Sequence, residues 1–256
     1  MVKMKMKRIV IIVCMILAGF FSHAQVTQEV INPTAWLLLN ENIRLNKKLT
    51  VLADQQLAFS KNLQNMQHLV RAGINCDLTN TISFVPLGYA YTWNYRYGNQ
   101  PVAISNNEHT VWQQVGITHR LLKIKLVHRL RLEERFIQNN QINGSGELVN
   151  NGYSLFQYRL RYRLMTNFPL IKPLLQPGAL FLNASSEGFW SWGDGVTYHA
   201  MSQWRSFVGV GYQMGRNTSL TAGPYDQWML MRNGSRVENN VGIIVQMNYQ
   251  FSRQTK

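Results

Sequence analysis

The sequence predicts an all-β protein: a transmembrane antiparallel up-and-down β-barrel of about twelve strands. Three observations lead there. Many segments alternate apolar and polar residues one by one, the period of a strand with two unlike faces. The connections alternate between tight turns and long loops. The chain also opens with an export leader, while no later stretch reaches the ~18 consecutive apolar residues of a membrane helix.

The leader occupies residues 1–24. Lys3, Lys5, Lys7 and Arg8 precede an apolar run from Ile9 to Phe21, and Ser22-His23-Ala24 puts small residues where a signal peptidase reads. The run is too short to cross a bilayer as a helix. Cleavage after Ala24 leaves 25–256 as one barrel domain. Cys14 lies inside the run rather than at the cleavage point, which argues against lipidation. The exported chain then holds only Cys76, so no internal disulfide can form and packing suffices as its role. The formal charge of +14 loses four basic leader residues and stays strongly positive. An exported protein rarely meets nucleic acid, so the excess points to anionic lipid head groups or an anionic solute.

The strands are taken in order. The first, 34–45, alternates weakly. In 49–60, Leu49, Val51, Ala53, Leu57 and Phe59 oppose Thr50, Asp54, Gln56 and Ser60. The stretch 68–78 sets Val70, Ala72, Ile74 and Cys76 against Arg71, Gly73, Asn75 and Asp77. One face of 81–95 reads Val85, Leu87, Tyr89, Tyr91, Trp93 and Tyr95. After a weaker strand at 109–121, 124–137 opposes Ile124, Leu126, Leu130, Leu132 and Phe136 to Lys125, Arg129, Arg131, Glu133 and Arg135. The stretch 155–168, LFQYRLRYRLMTNF, has Phe156, Tyr158, Leu160, Tyr162 and Leu164 on one face and Gln157, Arg159, Arg161 and Arg163 on the other. Weaker strands at 178–190, 203–214 and 218–231 precede 241–252, where Val241, Ile243, Val245, Met247, Tyr249 and Phe251 share a face. Pro86 and the pair Gly223-Pro224 interrupt strands. Proline lacks the ladder donor, so bulges or bends are expected there.

Short links near 46, 79, 122, 171 and 216 alternate with longer ones at 61–67, 96–108, 139–152, 191–202 and 232–240. Tight turns at one rim and long loops at the other are the asymmetry of outer-membrane barrels. With short turns in the periplasm, 34–45 runs downward. A periplasmic N-terminus then needs one more ascending strand, for which 25–32 is the candidate. That makes twelve strands, with ten as the runner-up. Under this topology every tryptophan falls at the long-loop end of its strand, as interfacial rings do. By parity Trp36, Trp112 and Trp228 turn inward to plug the mouth. A soluble sandwich or lipocalin-like barrel also alternates, but its apolar face would point inward. The wide aromatic faces, the uncharged Gly, Ser, Asn and Gln on the polar faces and the strand lengths favour hydrocarbon outside.

The leader ending in Ala-Gln, the first strands TAWLLLNENIRLNKKLTVLADQQLAFS, then RAGINCDLTNTISFVPLGYAYTW, HRLRLEERF and YRLRYRL together resemble an uncharacterised family of bacterial outer-membrane β-barrel proteins, domain of unknown function 2490. The resemblance spans nearly the whole exported chain. It implies a Gram-negative outer-membrane location and carries no catalytic residues.

The residues offer one distinctive constellation. Arg129, Arg131, Arg135, Arg159, Arg161 and Arg163 lie side by side in the lumen if 138–152 joins their strands as a hairpin. Rings of arginine attract anions. Alternatively, Asp54, Asp77, Glu133 and Glu187 pair with them in a hydrogen-bonded plug. An enzyme at the outer rim would need a Ser–His pair or paired acids; Asp194, His199, Ser202 and Asp226 supply the residue types without a recognised spacing. His68, His109, His119, His128 and His199 are too dispersed for a metal site. The expectation is thus a non-enzymatic outer-membrane protein, a narrow anion-biased pore or an envelope component, without cofactor or metal. Its partners are outer-membrane lipid, lipopolysaccharide and small anionic solutes, not nucleic acid, and it works as a monomer. The alternative is an enzyme acting on lipid or peptide at the extracellular rim.

Overall fold

The computed structural model describes residues 28–97, 104–121, 123–197, 200–230 and 236–252. The expected leader, residues 1–24, lies outside them, as does His199. Within them the alternation becomes strand wherever it was legible. The wall strands are β1 (Gln28–Arg44), β2 (Leu49–Phe59), β3 (Asn65–Asp77), β4 (Ile82–Asn94), β5 (Asn106–Leu121), β6 (Ile124–Ile137), β9 (Leu155–Pro169), β10 (Leu180–Gly193), β11 (Met201–Gln213), β12 (Thr218–Leu230) and β13 (Arg236–Ser252). A small hairpin, β7 (Asn140–Ile142) and β8 (Leu148–Asn150), rises from the β6–β9 connection.

Each wall strand pairs with its sequence neighbour, and the ring closes between β1 and β13. The barrel therefore has eleven strands. Of the segment 25–32, the described residues 28–32 extend β1 instead of forming a separate strand. The demand for a further strand came from assuming a periplasmic N-terminus, which places both chain ends at one rim and so requires an even, antiparallel ring. Here β1 and β13 run parallel, with Gln28 beside Arg236 and Arg44 beside Ser252, and a parallel seam closes an odd number of strands. The described chain accordingly enters at one rim and leaves at the other.

The wall is pleated largely as read; register shifts fall at Ala58/Phe59, at Phe189/Trp190 and, with the clearest effect on the faces, in β4. The register with both neighbours of β4 shifts beside Pro86, between Ile74 and Cys76 on one side and Val85 and Gly88 on the other. A one-residue slip flips side chains to the opposite face. Val85 is thus buried inside, whereas Leu87, two residues on, is 61% exposed outside. Pro224 causes no such slip: β12 keeps one register along β11 and β13.

The two rims differ less in loop length than the sequence suggests. The link at 60–64 is a short 3-10 turn, while the link at 170–179 is longer than its neighbours at that rim. Trp36 lies mid-strand, because β1 starts six residues before 34. It faces inward with Trp112, both almost wholly buried. Trp228 faces outward beside Trp204, since its neighbours Gln227 and Met229 are the buried positions of β12.

The interior is two-sided. Trp36, Met66, Tyr97, Phe207, Tyr225 and Met229 pack as an apolar cluster beneath the seam. Across from it, Trp112 packs on Val85 and lies over Gly73 and Gly88. A Cβ on Gly88 would stand 2.0 Å from the indole, so only glycine fits there.

Candidate functional site

The inward face of the hairpin-linked pair β6 and β9 carries the charge. Their register sets Arg129 opposite Arg163, Arg131 opposite Arg161, Glu133 opposite Arg159 and Arg135 opposite Gln157. The six arginines read from the sequence therefore share one patch of wall. Arg129 is 8% exposed and Arg131 only 2%.

Carboxylates from three directions meet this patch. Glu133 accepts Arg159 Nε at 2.5 Å and Arg161 Nη1 at 2.8 Å, with Arg131 at 3.8 Å. Glu187 of β10 accepts Arg129 Nη2 at 2.5 Å and Arg161 Nε at 3.0 Å. Glu108 of β5 takes both Nε and Nη2 of Arg135, at 2.7 and 2.5 Å, and the Thr110 hydroxyl at 2.8 Å. On the next wall, Asp54 of β2 accepts Arg71 Nε of β3 at 2.7 Å. Such charge-assisted bonds are the strong ones.

The pairing is incomplete. Eight guanidinium groups line the middle of the lumen, those six with Arg71 and Arg205, against the four carboxylates Asp54, Glu108, Glu133 and Glu187. Four positive charges are left over. Among the described residues Arg163 and Arg205 have no carboxylate within 4.0 Å. Arg205 stacks on Trp36 at 4.2 Å, Arg131 on Trp112 at 4.1 Å and Arg161 on Phe189 at 4.6 Å, so ring faces take part of the load. Nε of Arg129, Arg163 and Arg205 and Nη1 of Arg131 are buried without a hydrogen-bond partner.

Between the apolar and basic walls runs a cavity of about 520 Å³. Its lining reaches from Gly195 and Val196 of one rim to Asn42 and Asn248 near the other. At the long-loop end Asn240 donates to the Tyr97 hydroxyl at 3.1 Å and to Gln227 at 3.3 Å, and Asn32 donates to Glu238. Burial, with Glu238 nearby, pushes the Tyr97 phenol well above its ordinary range.

Other candidate residues stay apart. The Asp194 carboxylate accepts the Phe156 amide at 2.9 Å, and the Ser202 hydroxyl meets Ser191 at 3.0 Å. Asp226 lies on the outer face of β12. His128 contacts the Tyr162 hydroxyl at 2.7 Å and stacks on His119, while His109 contacts Tyr89 at 2.6 Å. Asp77 is not among the partners of the arginine patch; it pairs with Arg44 at 3.5 Å by the short-turn rim. Sequence reading missed Glu108 and Arg205. Glu108 falls in the stretch 96–108 read as a loop, and Arg205 sits in a weakly alternating strand, so neither carried a clear inward signal.

The family model described as a protein of unknown function (DUF2490) matches residues 34–238, well over half of the chain. The chain belongs to this family. The match takes in both arginine strands and all four lumen carboxylates, and ends within β13. Searches of curated proteins and of solved structures returned no match.

Proposed function

We propose that this member of the family is a non-enzymatic outer-membrane barrel, working as a single chain, that gives small anions a narrow path between its two walls. The observation that carries the reading is the surplus of guanidinium over carboxylate along one continuous cavity. A lumen of fixed positive charge concentrates anions and repels cations. The cavity volume matches a small solute with its water rather than a wide channel.

Membrane residence is supported by the inverted surface. Leu37, Leu87, Val208 and Ile243 are among the most exposed apolar residues, while the ionic network is inside. The strands, eleven to seventeen residues long, would cross roughly 25–40 Å when tilted, enough for the apolar band of an outer membrane. Ring contacts among Tyr91, Trp93, Phe136, Phe156, Tyr158 and Trp192 form an aromatic band near the long-loop rim, where lipopolysaccharide head groups would lie. No described helix is long and apolar enough to cross a membrane, but a closed barrel crosses with strands.

Planar-bilayer reconstitution tests the path. Under a potassium chloride gradient the reversal potential is expected to favour chloride, and Arg163→Glu to weaken or reverse that preference. Arg163 is chosen because no described carboxylate depends on it. A bilayer left electrically silent by correctly folded protein would rule the path out.

A further inference from the structure

We infer that the lumen contains a discrete oxyanion site, built by Arg129, Arg131 and Arg163, that takes a small dianion through paired oxygen atoms of a phosphate or carboxylate type. It rests on the same inward arginines as the proposed path, but it is a stronger claim: saturable recognition rather than a charge bias.

Arg129 and Arg163 stand directly opposite each other across β6 and β9. Facing residues in a ladder have Cβ atoms ~4.5–5.5 Å apart, and like charges placed so destabilise the sheet. Arg131 is two residues along on the same face, and Arg71 is close enough to all three to add to their mutual repulsion. The neighbouring pair, Arg131 and Arg161, is compensated because Arg161 lies between Glu133 and Glu187. Within 4.0 Å the Arg129–Arg163 pair meets a carboxylate only through Arg129 Nη2 and Glu187, while Glu187 and Asp54 reach Arg163 from farther away. What remains on these residues is a set of buried donors without a hydrogen-bond partner, Nε of Arg129, Nε of Arg163 and Nη1 of Arg131, the last with Glu133 no nearer than 3.8 Å, on side chains that line the cavity. Buried donors without acceptors are costly, and buried charge without counter-charge more so.

The shape of the missing partner follows from the donors. A guanidinium presents parallel N–H bonds that match two oxygens of one carboxyl or phosphoryl group, whereas chloride offers a single point acceptor. The surplus of four charges leaves room for two or more negative charges without removing an existing ion pair. Arg205 is not part of the site, because its guanidinium lies against Trp36 under the seam.

The test is calorimetric titration of the full chain in neutral detergent with inorganic phosphate, with succinate and with sodium chloride. Tryptophan emission serves as a second readout, since Arg131 lies on the Trp112 ring. Saturable binding of phosphate or succinate is expected, the better probe identifying the source of the oxygens. Arg163→Met should weaken binding about tenfold or more, as loss of a charge-assisted bond predicts. Arg163→Lys should keep the charge but lose most of the affinity. Arg205→Met removes the same charge elsewhere and should leave affinity within about threefold. Equal losses in the two Met variants, or chloride competing as well as phosphate at equal concentration, would reduce the site to general attraction and overturn it. Absence of saturable binding overturns it as well. Anion-selective conductance without binding would leave the path standing and the site refuted; binding to an electrically silent barrel would do the reverse.

Discussion

Replacing Glu187 with glutamine tests whether the arginine patch is held dry by its carboxylates. Glu187 is 4% exposed and receives Arg129 at 2.5 Å and Arg161 at 3.0 and 2.9 Å. Removing one member of a buried ion pair costs about 3–5 kcal/mol, because the partner charges stay behind uncompensated. At the lower end the folding equilibrium falls by roughly a hundredfold. The assay is equilibrium unfolding of the barrel in lipid vesicles by guanidinium chloride, followed by tryptophan emission. Glu147→Gln, on the exposed hairpin, is the control and should change stability by no more than about 0.5 kcal/mol. A second mutation, Arg161→Met, placed in the Glu187→Gln background should cost less than it does alone, since its main partner is already gone. A loss below about 1 kcal/mol for Glu187→Gln would refute the reasoning. It would mean that water solvates these guanidinium groups and that the lumen is wide. The same variant removes one negative charge from the lumen, so bilayer measurements should find stronger anion preference.

Val208→Arg places a charge mid-strand on the outer wall, 56% exposed. If hydrocarbon surrounds it, stability in vesicles should fall by about 2–4 kcal/mol; an unchanged midpoint would argue for water outside. Gly88→Val drives side-chain atoms into the Trp112 ring and should cost about 1–3 kcal/mol or more, with a red-shifted emission and weaker near-ultraviolet dichroism. Secretion of the full chain from a Gram-negative host should yield a mature N-terminus at Gln25 by mass spectrometry; an intact Met1 would refute the leader.

Much of this protein was legible as pattern. All eleven wall strands coincide with alternating segments, and the inward placement of Arg129, Arg131, Arg135, Arg159, Arg161 and Arg163 follows from parity alone. Where parity was poor, reading failed. Val85 turned in because a slip beside Pro86 exchanged the faces, and the face of Trp228 was misread because 218–231 alternates weakly in sequence although β12 is regular. Glu108 was overlooked because it was read as the last residue of the 96–108 loop, yet β5 begins at Asn106 and Glu108 neutralises Arg135.

Alternation is a local property: successive side chains of an extended backbone point to opposite faces whatever lies beside them. Strand positions, the greasy outer face and the basic inner stripe could therefore be read from single segments. Closure is a property of the ring. Whether β1 meets β13 parallel or antiparallel depends on how many strands fill the circumference, and no single segment encodes that. For the same reason, Arg71 and Arg205 joined the site only when distant walls were folded across from β6 and β9, leaving more positive charge in the lumen than its carboxylates offset.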